Sequence, residues 1–515
     1  MMDYKKLIYI SLCLLIPYSA WSACTGSGTS WSSTPDEGSI NTCVSSANSN
    51  PGSTLTVSAG SETWTTVKNF TRGVTVVGPG SGSLTITNTS SVSVQYTPDS
   101  TARTNNELFE ISGFTFNGGS SQIYIDGPNS GALITKVKIH DNVFLGATGM
   151  AITGEDHIVG VVYNNTFTNV QYVWGVYGAD SQTWVDLSST AQKYGMDAGQ
   201  TSWYFEDNTV NWTTNTGEGR VTDGQGTPGI VMRYNTWDYT NRTSRSDPWD
   251  FHGLQTMTTA AGFSCPSGCG YANCTPTQDG SCDETIASAQ QWAFLKSETY
   301  GNILTNSTNA DKWADYRGSW NLMFNNRLSG SANPNIYASD RACDEAQSPA
   351  LGYNQEVNNT YIWNNWVNST RKDLSVSYDW CGSGSVGKPH TSTENVDWWN
   401  YNTSALNGST EKGINCGSSV PTSDCSEGDG YWKTDFSPCS TPPSTIDDMK
   451  TYNQAGVFYT CDDSNTWTEY YTPYTYPHPL RSEAATPQNS ITGITISNLK
   501  IKDDLISWNR TDGLR

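Results

Sequence analysis

Charge is scarce in this 515-residue sequence, at 15% of all positions, and positive charge is scarcest: 28 Lys and Arg face 49 Asp and Glu, for a net −21. A chain so short of cations lacks the clustered Lys and Arg that phosphate contacts require, which argues against nucleic acid as a partner. An anionic polysaccharide would be repelled as well, unless a cation such as calcium bridged the two. Apolar residues are also few, at 35% against the ~45–50% of ordinary globular domains. Disorder is one explanation of such a shortage, but 20 Trp and 27 Tyr without blocks of like charge speak against it. Many short strands joined by polar turns, around an economical core, fit better. Beyond the first residues there is also no run of ~18 apolar positions, so no membrane span is expected.

What the chain does have begins at its start. Lys5 and Lys6 precede the apolar run from Leu7 to Ile16, followed by Ser19-Ala20-Trp21-Ser22-Ala23. That order reads as a secretory signal peptide over 1–22, and hence as a secreted, extracellular protein. A lipoprotein-type cleavage before Cys24 is the rival, but cysteine parity opposes it. Of 13 Cys, Cys13 leaves with the signal, and the rest could form disulfides in an oxidising compartment.

Residues 23–60 read as an N-terminal cap. Thr34-Pro35-Asp36-Glu37 supplies a capping residue, a first-turn Pro and an acid, and Ile40, Cys43, Val44 and Ala47 then give one apolar helical stripe. Such a helix would cover the open end of a stacked sheet.

Next comes the repeat. A short strand ending in Asn recurs at Asn142, Asn165, Asn208, Asn235, Asn302, Asn326 and Asn365, with shortest spacings of 23, 24 and 27 residues. That is the length of one coil of a parallel β-helix. Two residues after each Asn stand Phe144, Phe167, Val210, Trp237, Leu304, Leu328 and Val367; three before stand Ile139, Val162, Phe205, Met232, Thr299, Met323 and Ile362. Both columns should face the core, and the Asn should sit in left-handed geometry at a turn, bonding its equivalents one coil away. On these residues the chain resembles the pectin-lyase-like superfamily of right-handed parallel β-helices, which holds polysaccharide lyases, glycosidases and phage tailspikes, over roughly 34–480. The stretch from Trp467 through Tyr471-Thr472-Pro473-Tyr474-Thr475-Tyr476-Pro477-His478-Pro479-Leu480 resembles the end of a group of secreted β-helix proteins. The helix is expected over 61–480, with insertions at about 241–292 and 373–461.

Strand alternation turns the residue two before each Asn outward, giving the column His140, Tyr163, Glu206, Arg233, Tyr300, Phe324 and Trp363. Aromatic rings stack on sugar faces while ionisable groups fix hydroxyls or carboxylates, so the column suits a saccharide groove. The competing reading is that other segments cover it and the rings pack beneath them. Glu206 and Arg233, on consecutive coils, form either a structural salt bridge or a functional pair in which Arg233 binds an anionic sugar or lowers a proton-abstraction barrier while Glu206 coordinates a cation or acts as acid/base.

Asp247-Pro248-Trp249-Asp250-Phe251-His252-Gly253 carries the most reactive-looking side chains: His252 for proton transfer, with Asp250 to orient it. Either could equally be a hydrogen-bonded turn residue. The resembled secreted group places a His-Gly pair here and a Glu in the next strand, which corresponds to Glu298. Asp223, a candidate calcium ligand, and Arg317, a candidate substrate contact, precede strands that could converge on the same groove. The Asp-rich calcium sites and Arg-Pro-Arg motif of a typical pectate lyase are not recognisable, which argues against lyase chemistry.

Cys265, Cys269, Cys274 and Cys282 crowd one insertion without a CxxC pair, favouring disulfides over zinc. Cys24 should fasten to Cys43, while pairings among the later cysteines stay open. From about 373 the repeat fades into what reads as irregular, disulfide-bonded sequence. Residues 481–515 read as a linker and two strands of an immunoglobulin- or fibronectin-like module, which would need more chain or a neighbouring molecule to complete it.

Two functions follow: a secreted protein that binds and cleaves an extracellular polysaccharide through Glu206, Arg233, Asp250 and His252 converging on one groove, or a non-catalytic surface or filament component that self-associates through its C-terminal strands.

Overall fold

A computed structural model describes residues 24–128, 132–177, 202–214, 219–225, 229–240, 248–251, 275–276, 282–283, 296–307, 312–316, 318–340, 357–379, 392–405, 411–422 and 425–483. It is the expected right-handed parallel β-helix. Among the described residues three long sheets run side by side, of 13, 11 and 10 strands, each strand bonded to its counterpart one coil away. Nearly all pairings are parallel; the exceptions in these sheets are the first pair, Thr25–Ser27 with Ser30–Ser33, and the last pair of the second sheet.

The repeat sets this geometry. Ile139, Val162, Phe205, Met232, Thr299, Met323 and Ile362 pair in an unbroken register along the first sheet and are buried. Phe144 through Val367 do the same along the second sheet. Between the two sheets the Asn residues form a continuous internal ladder. Each amide Nδ2 donates to the Oδ1 of the next Asn, from Asn142 to Asn165 at 3.2 Å through Asn326 to Asn365 at 2.9 Å. The left-handed backbone lies one residue earlier than expected. Asp141, Asn164, Asp207, Tyr234, Asn325 and Asn364 have φ between 54° and 60°, and Gly301 has 69°. The turn is made by the residue before the ladder Asn, which frees the Asn to point inward.

The cap helix, α1, spans Glu37–Asn48 and buries Ile40, Cys43, Val44 and Ala47. Its N-cap is Asp36, not Thr34, accepting from Ser39 N at 3.0 Å. The Cys24–Cys43 disulfide fastens it.

Much of the described part of the stretch expected to be irregular is regular structure. Ile414–Gly417, Gly430–Lys433, Val457–Cys461 and Trp467–Tyr471 make a separate four-stranded sheet. A second helix of the chain, α2, is Ser100–Asn105, and a third, α3, is Ile446–Gln454. Disulfides Cys416–Cys439 and Cys425–Cys461 tie the C-terminal sheet together. This unit, with the strap 472–483, lies on the outer face of the first sheet.

Candidate functional site

The column expected to be an open groove exists in register. His140 pairs with Tyr163, Tyr163 with Glu206, Glu206 with Arg233, Arg233 with Tyr300, Tyr300 with Phe324, and Phe324 with Trp363. From Glu206 to Trp363 it is covered, so the groove is instead an internal interface. Phe324 and Trp363 stack at 4.3 Å between ring centroids, and Trp432 and Phe458 of the C-terminal sheet close over them at 5.2 and 4.7 Å. Tyr300 continues the stack at 4.7 Å. Glu298 is buried beside them and accepts from the Tyr471 hydroxyl at 2.7 Å.

Glu206 and Arg233, both wholly buried, bond at 2.7–2.8 Å and hold the strap. Arg233 donates to the carbonyls of Tyr474 and Thr475 at 2.6 and 3.0 Å; Glu206 accepts from Arg481 at 2.9 Å and from His478 N at 3.1 Å. Next to it Asp207 bonds Arg481, Lys450 and the Tyr476 hydroxyl. These charges are satisfied by protein, as buried charges must be, and the salt-bridge reading of Glu206 and Arg233 is the one their surroundings support. His140 and Tyr163 sit at the start of the column, their rings stacked at 4.6 Å. His140 bonds Glu110 at 2.8 Å, and Arg481 lies over Tyr163 at 4.3 Å. Burial pushes the Glu110 carboxyl up, but bonds from His140 and Lys138 outweigh it and hold it at about 2.

Asp223 and Asp250 are elsewhere, on the outer face of the third sheet. Glu206 and Arg233 therefore do not converge with Asp250, contrary to the single groove expected. His252 and Arg317 lie outside the described residues.

The third-sheet face is the better candidate. Its strands point Ile123, Ile152, Trp174, Thr222, Trp249, Ala314 and Ile336 inward, where all are buried. The next residue on each strand therefore faces out: Tyr124, Thr153, Gly175, Asp223, Asp250, Asp315 and Tyr337 form one column in register. Two residues further along, Asp126, Glu155, Tyr177 and Gln225 form a second. A Cβ on Gly175 would lie 2.1 Å from the Met150 Sδ and 2.8 Å from the Tyr177 ring, so a larger residue there would displace those side chains.

Arg220 and Lys312 are cations of this face among the described residues. The Arg220 Nη1 stands 2.7 Å from Asp250 and 3.7 Å from Asp223, and its guanidinium lies 5.8 Å from the Tyr172 ring centre. Lys312 pairs with Asp315 at 2.6 Å. Asp250 and Asp315 are buried, whereas Tyr124, Asp126, Glu155, Tyr172, Tyr177, Arg220 and Asp223 stay partly exposed. The Tyr124 hydroxyl bonds the Glu155 carboxylate. Burial, with the charge of Asp126 on the neighbouring coil, raises the Glu155 carboxyl above its ordinary range, although the Tyr124 bond pulls the other way. Burial also raises the Tyr177 phenol, and Asp223 and Glu155 add to that.

Sequence reasoning singled out Asp223 and Asp250 but missed Asp315, Glu155, Tyr124, Tyr177 and Arg220. A signal was present: Asp223 and Asp250 each stand 15 residues after a ladder Asn, Asn208 and Asn235, and Asp315 stands 13 after Asn302. Among the described residues no group of three or more His, Cys, Asp or Glu is placed to hold a metal ion. Asp223 faces Arg220, so these residues do not fit the calcium ligand set expected of it.

No family model matches the chain, and no curated protein matches it. Among solved structures, a PL6 family polysaccharide lyase from Pseudopedobacter saltans aligns over 70% of this chain and 96% of its own, at 10% identity and a TM-score of 0.29. The catalytic domain of a GH87 alpha-1,3-glucanase in complex with nigerose aligns over 67% of each chain, at 10% identity and a TM-score of 0.27. These likenesses give no residue of this chain a role.

Proposed function

We propose that this is a secreted protein that binds an extracellular polysaccharide along the outer face of the third sheet and cleaves it there, with Glu155 as the proton donor. The observation that carries the reading is Glu155 between the partly exposed Tyr124, which bonds it, and Tyr177, its partner on the next coil, with its carboxyl held toward the protonated form. Tyrosine rings give flat apolar platforms with a polar edge, suited to sugar rings. A carboxylic acid with a raised pKa can protonate a departing glycosidic oxygen near neutral pH while water adds to the anomeric carbon, giving the new reducing end and a proton that restores the acid. Arg220, already facing Asp223 and Asp250, keeps the rest of the face from being purely repulsive to an acidic chain. The described disulfides accord with an oxidising, extracellular setting.

The test is incubation of the purified protein with neutral and acidic polysaccharides, with and without calcium, following reducing ends and the absorbance of unsaturated products. New reducing ends should appear, activity should fall as pH rises through the raised Glu155 value, and Glu155→Gln should abolish it. His252→Ala tests the sequence-based assignment of that residue in the same assay. A product yield unchanged in Glu155→Gln would reject the proton-donor role.

The burial of Glu206, Arg233 and Asp250 favours a second reading, a non-catalytic scaffold. It expects no product from any glycan, together with oligomers that vanish when the residues after Leu480 are deleted.

A further inference from the structure

Where the strap meets the start of the first sheet it closes a cleft of about 230 Å³ that the third-sheet site does not share. One wall comes from the coils: Asn106, Thr135, Lys136, Val159, Gly160 and Ser202. The other comes from the strap: Tyr474, His478, Pro479, Leu480 and Glu483. The strap wall is aromatic, with the Tyr474 and His478 rings 5.3 Å apart and Tyr204 bracing His478 at 4.5 Å. The coil wall is polar and already ordered. Asn106 and Thr135 bond each other through two contacts, at 2.9 and 3.0 Å.

The chemistry of this cleft is balanced. Lys136 and Glu483 pair across it and cancel. His478 accepts from Leu480 N through Nδ1 at 3.2 Å, which in a neutral imidazole leaves the proton on Nε2 as a donor. Burial pushes its pKa down to about 4, against the opposing pull of Glu206, so the ring is neutral at ordinary pH. Donors and acceptors thus stand together with no net charge beside the mutually tilted rings of Tyr474 and His478. An anion or cation would find its partner already taken. A ligand rich in hydroxyls, each both donor and acceptor, would match. The volume lies below the ~300–1,000 Å³ of drug-sized sites, which limits the occupant to about one ring.

We propose that this cleft is a binding site for a single neutral sugar ring, and that its ligand clamps the strap onto the first sheet. Five of its lining residues belong to the strap, so the site exists only while the strap is docked. A ligand that binds only this arrangement must stabilise it by mass action.

The experiment is calorimetric titration of the full chain with glucose, galactose, mannose and N-acetylglucosamine, and with glucuronate and inorganic phosphate as charged counterparts. Hydrogen exchange of 472–483 is followed in parallel. At least one neutral sugar should bind one-to-one and slow exchange in the strap, while glucuronate and phosphate should not. Thr135→Trp, which fills the cleft, should abolish binding, and Lys136→Ala should weaken it about tenfold, the loss of roughly one good polar contact. Absence of binding by every neutral sugar, binding of the charged probes alone, or an affinity unchanged in Lys136→Ala would each overturn the proposal. So would binding that persists in a folded Thr135→Trp.

Discussion

The first and third sheets are built from the same coils by the same alternation, yet their outer faces have opposite fates. On the first, a column of aromatic and ionisable side chains runs from His140 to Trp363 and most of it is buried beneath a disulfide-tied sheet and a strap. On the third, the outward columns keep Tyr124, Asp126, Glu155, Tyr177, Asp223 and Tyr337 in partial contact with solvent, although Asp250 and Asp315 between them are buried. Outward direction is therefore not the same as exposure. An aromatic column on a solenoid signals either a ligand or a second layer of protein, and the partner for its charges decides which. Glu206 has Arg233 on the neighbouring coil and Arg481 and a backbone N–H from the strap; Glu155 has a tyrosine and a neighbouring carboxylate.

The largest expected difference between the faces is in stability. Arg233→Ala removes one of the two arginines that hold Glu206 in a dry interface, together with the donor to the Tyr474 and Thr475 carbonyls, and should cost about 3–5 kcal/mol in chemical unfolding. Asp223→Asn, on the partly exposed face, should cost under about 1 kcal/mol, but should reduce polysaccharide affinity. Equal costs would erase the distinction. The ladder serves both faces, so Asn235→Ala should destabilise the coils by roughly 1–3 kcal/mol wherever stability is probed, since it leaves its neighbours' amide groups unpaired.

Acid should separate the faces next. The folded protein holds His478 at about 4 against 6.5 unfolded, so its contribution is complete above 6.5 and is lost as pH falls toward 4. Glu110, held at about 2 against 4.5, loses its contribution over the lower window from 4.5 toward 2. Hydrogen exchange should therefore show strap residues 472–483 loosening first, between pH 6.5 and 4, while the third-sheet strands stay protected. Simultaneous loss from both faces would contradict a separately held strap. The smallest effect on stability is expected of Tyr124→Ala, within about 1 kcal/mol, with polysaccharide affinity nonetheless reduced about tenfold in titration.

The coil was legible in the sequence because it repeats. Each Asn is locked by its equivalents, and the columns on either side must alternate with it, so core positions such as Phe167 and Met232 followed from spacing alone. Even the outward column was placed in the right register. Its covering was not legible. The strap contacts Glu206 from more than 270 residues away in sequence, and nothing periodic announces such a contact. The same limit explains Glu155, which becomes a candidate only when Tyr124 and Asp126, one coil earlier, are brought beside it. The strap's own sequence, Tyr471 to Leu480, stood out without a stated purpose; its purpose is to close the first sheet.

The most direct test of this division is a hydrogen-exchange map of the protein with and without a bound polysaccharide from the panel. Protection should appear in the third-sheet strands 121–126, 150–155 and 172–177, and be absent from 203–206, 230–233 and 319–324 beneath the C-terminal sheet. Protection confined to those last three strands would contradict the account, because it would mean that the covered face opens to take the ligand.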